Sequence, residues 1–264
     1  VNDTDLGAEK IGEITGSAQI IPAYMEFVDI AGLVAGASQG EGLGNKFLAN
    51  IRETDAILHV LRCFNNTNIS HIDNTTDPIR DIDIVETELM IADLESLQKR
   101  IEVITKRVKG NDKEAKQELF IVERILKALE EGIPARKVVI SADDIRQFKL
   151  LNLLTSKPIL YVCNVDENDA RTGNDFTESV SKHAEENHAG CITISARFEA
   201  EVSQITNLAE RYEFFESLNL QEGGLERLIN AGYNLLGLIT YFTSGPKETR
   251  AWTIKIGDKA PKAA

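Results

Sequence analysis

MEFVDIAGLVAGASQGEGLGNK, residues 25–46, is an apolar run that ends in an acid and breaks into a glycine-rich loop. Ala23 to Val28 reads as a buried strand that delivers Asp29 to the carboxyl edge of a sheet. Gly32, Gly36, Gly40, Gly42 and Gly44 leave the following loop with little to stiffen it, so it is expected to be mobile. Open α/β sheets bind their ligands at this edge. The stretch thus marks a site as well as a fold class.

Downstream, Phe47, Leu48 and Ile51 share one face of a helix expected from about Asn45 to Glu53, and Ala56 to Cys63 (AILHVLRC) has the length of a second buried strand. Two strands joined by a helix make a parallel crossover. Asn65 to Pro78 is a polar loop, after which the periodicity turns helical. Leu97, Ile101, Ile104 and Val108 recur at intervals of four, three and four. Ala115, Leu119, Val122, Leu126 and Leu129 continue the pattern beyond Gly110-Asn111. This is the seam of an antiparallel helical hairpin, its first helix expected from Ile82 and its second closed by Gly132 and Pro134. Ser141 and Asp144 read as a capping pair for a short helix into Leu150. ILYVCN, residues 159–164, reads as a buried strand delivering Asn164. A helix around Val180 to Glu186 and a strand from Cys191 to Ile194 lead to Ser195-Ala196-Arg197. A helix from Leu225 to Leu236 precedes LITYFTS and TRAWTIKI, which form a hairpin turning at Gly245-Pro246.

Composition narrows the class. The chain has 264 residues, 42% hydrophobic and 27% charged, with no apolar run long enough to cross a membrane and no secretory signal at its start, so a cytoplasmic location is expected. Cys63, Cys163 and Cys191 have no CxxC spacing and read as buried thiols, with no zinc site. A net charge of −13 argues against a general nucleic-acid footprint. The segment Gln98 to Gln117 departs from it, with Lys99, Arg100, Lys106, Arg107, Lys109, Lys113 and Lys116 against three acids. It spans the hairpin tip and is the one candidate place for an RNA or ribosome contact, unless the charges merely solvate a helix.

Three strand tips carry DIAG at 29–32, NVDE at 164–167 and SAR at 195–197, in the order found in GTPase-like proteins. An acid at the first tip, Asp29, can hold Mg2+, and Gly32 lets its backbone N–H approach a γ-phosphate. With the segment FVDIAGLVAGASQGEGLGNKFLANIRE, the inserted hairpin and LGLITYFTSGPKETRAWTIKIGDKAP, the sequence resembles the Obg-like ATPase or YchF family of TRAFAC-class P-loop nucleotide hydrolases along essentially its whole length. The resemblance implies an α/β fold, a doubly wound and mainly parallel sheet, with an inserted coiled-coil hairpin. It implies a discontinuous nucleotide domain at 1–81 and 141–237, a hairpin arm at 82–140 and the start of a TGS domain at 238–264. It also implies ATP or GTP as ligand, Mg2+ as cofactor and the ribosome as partner. No GxxxxGK[ST] occurs. The phosphate cradle of the family is missing, and the chain is expected to be a fragment that binds nucleotide poorly alone.

The base-reading motif departs from NKxD. The aspartate of NKxD accepts from two guanine N–H groups while the lysine stem covers the ring. Val165 replaces that lysine, and Glu167 places the carboxylate one methylene further out. Adenine has no N1–H to offer it, so the change removes the reason for guanine preference, and the resemblance to the family then implies ATP over GTP. Asn164, the backbone at Val165, Ser195, Ala196 and Arg197 complete the candidate purine site. Leu33 follows DxxG and cannot bond a water, whereas His71, matching a loop histidine of the family, is the candidate catalytic group. Two functions follow from the resemblance. One is an ATP-hydrolysing switch. The other is a ribosome- or RNA-binding protein in which hydrolysis is secondary. An ordinary GTPase is the third reading.

Overall fold

In the computed structural model, residues 6–30, 43–65, 76–205, 207, 210, 215 and 223–263 are described. In chain order they form α1 (Leu6–Thr15), β1 (Ile20–Ile21), α2 (Leu43–Glu53), β2 (Ile57–Arg62), α3 (Pro78–Lys109), α4 (Lys113–Glu130), α5 (Ile145–Leu150), β3 (Ile159–Asn164), α6 (Asp175–Glu186), β4 (Gly190–Ile194), α7 (Ala196–Ser203), α8 (Gly224–Leu236), β5 (Leu238–Ser244), β6 (Thr249–Lys255) and α9 (Ala260–Ala263). The chain divides into two compact units. One holds Val1–Asp29, Leu58–Pro78 and Ile159–Ala264, and the other Ile30–Ile57 and Ile79–Pro158.

The first unit is built on a sheet ordered β2-β3-β4. Ile159 to Cys163 are all buried, as expected of a central strand covered on both faces. β3 and β4 are parallel, with Leu160 beside Gly190 and Asn164 beside Ile194. Ile57 N donates to Pro158 O and, six residues on along both segments, Cys63 N donates to Asn164 O, so β2 runs parallel as well. β2 is half-buried rather than buried, with Val60 62% exposed. Helices α6 and α8 pack on this sheet. The apolar face of α6 carries Val180 and Ala184, and its start is closed by a capping box between Asn174 and Thr177.

The expected strand Ala23 to Val28 is not a strand. It makes a single bridge, at Tyr24, and its side chains alternate, Ala23 buried while Tyr24 is 75% and Val28 53% exposed. An apolar composition suited burial on both faces, but only one face is covered. Met25 lies so close to α8 that a Cβ on Gly232 would fall 2.7 Å from its sulfur.

The hairpin β5–β6 is antiparallel, with Tyr241 opposite Trp252, and it gains a third strand, β1, running parallel to β6. Helix α1 packs on this small sheet. A hydroxyl cluster joins the pieces: Thr15 bonds Ser17 and Ser244 at 2.9 and 2.8 Å, and Ser17 bonds the fully buried Thr249 at 2.8 Å.

In the second unit the seam residues meet as the spacing requires. Leu97, Ile101, Ile104 and Val108 of α3 pack with Ala115, Leu119, Val122, Leu126 and Leu129 of α4. Asn111 takes φ 64° in the turn, and Asp112 caps α4 by accepting from Glu114 N and Ala115 N. α3 begins at Pro78, four residues before the expected Ile82, because proline without an N–H suits a first helical turn. Its 32 residues span about 48 Å at the helical rise. α2 begins at Leu43, so Gly44 belongs to the helix and not to the loop. Leu48 and Ile51 of α2 pack against Leu89, Ala92 and Leu154. Ser141 and Asp144 bond one another at 2.7 Å, but Asp144 makes no side-chain bond to the start of α5, so the pair closes a turn instead of capping the helix.

Candidate functional site

Two strand ends of the parallel sheet meet at one rim. β3 leaves the core at Asn164, whose Oδ1 accepts from Ala196 N at 2.9 Å. Its backbone oxygen accepts from Cys63 N at 2.8 Å, and Val165 N donates to Ile194 O at 2.9 Å. The two loops that follow β3 and β4 are thus laced by side chain and backbone together. Ser195, 2% exposed, opens α7 as its cap, and Phe198, Val202 and Phe215 anchor that helix. Glu167 begins a short 3-10 turn and is met across the rim by Arg197, Nε to Oε1 at 2.9 Å.

Six expected residues therefore come together: Asn164, Val165, Glu167, Ser195, Ala196 and Arg197. The N–H of Val165 is committed to Ile194 O and its side chain is 3% exposed, which leaves its carbonyl as the backbone group still open to a ligand. Asp29 lies exposed just beyond the 23–28 segment, and among the described residues no hydrogen bond or ion pair joins it to the rim. Gly32, the glycines from Gly36 to Gly42, and His71 lie outside the described residues.

Two supports escaped the sequence reading. The side-chain nitrogen of Asn174 donates to Cys63 O and to Asp169 Oδ2, both at 2.8 Å, while its oxygen caps α6, so it ties the end of the NVDE loop to β2. Asn174 with Thr177 three residues on has the spacing of a capping box and was readable. The Glu199 carboxylate accepts from Gly224 N at 2.7 Å and Leu225 N at 3.3 Å, joining α7 to the start of α8. Nothing in the sequence marks that long-range bond.

Behind the rim sit the three thiols, all free. Cys163 and Cys191 approach to 3.7 Å. Contact with Cys191 pulls the Cys163 thiol down, but hydrogen bonding to Cys63 and burial outweigh it, and the group is pushed up to about 12. Cys191 is raised by its contact with Cys163 and by burial. Cys163 and Cys191 are thus packing groups that resist ionisation.

On the helical unit the basic segment is partly neutralised. Arg107 pairs with Asp112 at 2.8 Å and Glu118 at 3.1 Å, and Arg100 with Glu118 at 2.7 Å. Lys116 bonds the neutral Asn111. Lys99, Lys106, Lys109 and Lys113 are exposed and make no ion pair among the described residues. A groove of about 490 Å³ on α2 and α3, lined in part by Arg52, Glu95 and Lys99, contains none of the other expected site residues.

Residues 9–106 match a family profile described as 50S ribosome-binding GTPase. Residues 238–264 match the profile of the C-terminal region of YchF GTPases, described as a protein of unknown function. The chain is 49% identical over 256 residues to the ribosome-binding ATPase YchF of Haemophilus influenzae, covering 97% of this chain and 70% of the relative. Against the protein of the same name from Bacillus subtilis it is 45% identical, with 97% and 70% covered. The structure of the Schizosaccharomyces pombe YchF GTPase superposes with a TM-score of 0.86 at 36% identity, covering all of this chain and 71% of that one. Among the described residues no helix is long and apolar enough to cross a membrane.

Proposed function

Because the chain belongs to the YchF family, we propose that it serves a ribosome-associated nucleotide switch that hydrolyses ATP in preference to GTP with Mg2+. The observation that best supports this reading is the hydrogen bond from Ala196 N to Asn164 Oδ1, which joins the NVDE and SAR loops at one rim. That bond uses the acceptor of Asn164 and leaves its amide nitrogen to donate to a purine ring nitrogen. Adenine and guanine both offer such an acceptor at N7. Discrimination then falls to Glu167, which stands where a guanine-reading site needs an aspartate. The names of the relatives themselves divide between ATPase and GTPase.

Asp29 fits a magnesium site of the family's kind. It is an exposed single carboxylate, and Mg2+ takes one or two carboxylates while keeping waters and phosphate oxygens as its other ligands. The bound ion would neutralise charge on the terminal phosphates. Gly32 would report the γ-phosphate through its N–H, and His71 would orient the attacking water that Leu33 cannot hold. A second reading rests on the four exposed lysines of the α3–α4 tip: a ribosome- or RNA-binding protein in which hydrolysis is secondary.

Calorimetric titration of the full-length protein with ATP and with GTP, both with Mg2+, tests the first reading, and tighter GTP binding would refute it. Cosedimentation with ribosomes with and without ATP separates the two functions. Binding that ignores the nucleotide and falls on Lys106→Ala with Lys109→Ala favours the second. His71→Ala is expected to lower the hydrolysis rate while sparing ATP affinity, and an unaltered rate ends that assignment.

A further inference from the structure

We infer that Arg197 sets the purine preference by occupying the carboxylate that guanine would need. This rests on reading residues 164–167 and 195–197 as the purine loops. Arg197 Nε lies 2.9 Å from Glu167 Oε1 and 3.6 Å from Glu201 Oε1. Both ends of the first pair stand on fixed backbone. Arg197 is on the first turn of α7, which the buried Ser195 caps and Phe198 anchors. Glu167 begins the turn whose last residue, Asp169, is held by Asn174. The two long side chains therefore meet across the rim between anchored ends.

The chemistry is asymmetric between the purines. Guanine presents N1–H and an N2 amine, and a carboxylate reads it by accepting from both. A carboxylate bound to a guanidinium has one oxygen already used, so guanine must displace Arg197 to be read. Adenine presents an acceptor at N1 and asks nothing of Glu167. Arg197 thus weakens GTP without strengthening ATP, a repulsive element of specificity of the kind that accompanies attractive contacts in selective sites. The Arg197 side chain is 80% exposed and that of Glu167 39%, so the pair is screened and its effect is modest. Exposed pairs of this sort correspond to about a 1.5- to 5-fold change in a binding ratio.

The test uses the full-length protein and its Arg197→Ala variant, titrated with ATP, GTP and inosine triphosphate, which keeps N1–H and lacks the amine. Arg197→Ala is expected to shift the ATP-to-GTP affinity ratio about two- to five-fold toward GTP. Inosine triphosphate is expected to gain less than GTP. Glu167→Gln added to Arg197→Ala removes the gain, because an amide has one accepting oxygen. Raising salt drifts the parent toward GTP and leaves Arg197→Ala flat. A ratio that stays constant in Arg197→Ala, or moves toward ATP, overturns the inference even where the parent prefers ATP. A parent that prefers GTP removes the ATP reading instead and leaves the shift as an independent measurement. Matching circular dichroism of the variants excludes misfolding as the cause.

Discussion

Replacing Asp93 with alanine removes the acceptor of three hydrogen bonds inside the helical unit. The residue is 0% exposed on α3 and accepts from Leu154 N at 2.9 Å, Thr155 N at 2.8 Å and Thr155 Oγ1 at 2.7 Å. It thereby fixes the short turn Leu154–Ser156 that feeds β3. The alanine variant leaves two buried N–H groups unpaired, at about 1–3 kcal/mol each, while the hydroxyl can turn elsewhere. A loss of about 3–5 kcal/mol follows. Asp93→Asn keeps one acceptor but turns an N–H2 toward a donor, and roughly half that loss is expected. Urea titration followed by far-ultraviolet circular dichroism reads the cost, and hydrogen exchange reads the amides of Leu154 and Thr155 directly. A midpoint within about 1 kcal/mol of the parent, with both amides still protected, would show that the carboxylate does not hold this turn.

Three further outcomes can be measured. Burial pushes the Asp93 carboxyl up from 3.8, against the hydrogen bonds from Thr155 and Leu154, so the folded state binds more protons there. The part of its contribution that comes from binding that proton is fully present below 3.8 and is lost as pH rises through the folded value, and Asp93→Asn should abolish that slope in stability-against-pH curves. Asn111 at φ 64° tolerates glycine, whereas Asn111→Val should cost about 1–2 kcal/mol in thermal unfolding, and equal melting of the two would refute the left-handed turn. Cys63 and Cys163, each 0% exposed, should resist an aromatic disulfide reagent at mildly alkaline pH until urea unfolds the chain. Labelling at the rate of a free thiol would contradict their burial.

Much of this was legible because the signals were local and periodic. The α3–α4 seam needs only a repeat of apolar residues, and ILYVCN needs only continuous apolarity between polar ends. The meeting of Asn164 with Ala196 follows from placing two motifs at neighbouring parallel strand ends. The segment 23–28 misled because apolar letters do not say whether a second strand lies alongside, and here Tyr24 alone is bridged. Asp93 carried a signal that went unread: an acid four residues from both Leu89 and Leu97, on a stripe that is otherwise buried. Glu199 had none, since its partners at Gly224 and Leu225 are 25 and 26 positions away and are backbone groups.

The pairing of β1 with β6 bears on how the chain is made. Ile20 and Ile21 find their neighbours at Thr249 and Arg250, and the hydroxyl bond from Thr15 to Ser244 bridges 229 positions. At a synthesis rate of about 5–20 residues per second, the early segment leaves the exit tunnel roughly ten to fifty seconds before its companion exists. The parallel β2-β3-β4 sheet completes sooner, at Ile194. Translation thus imposes a schedule: the rim can close while α1 is still unattached, and docking of that helix is the late event in the birth of this unit.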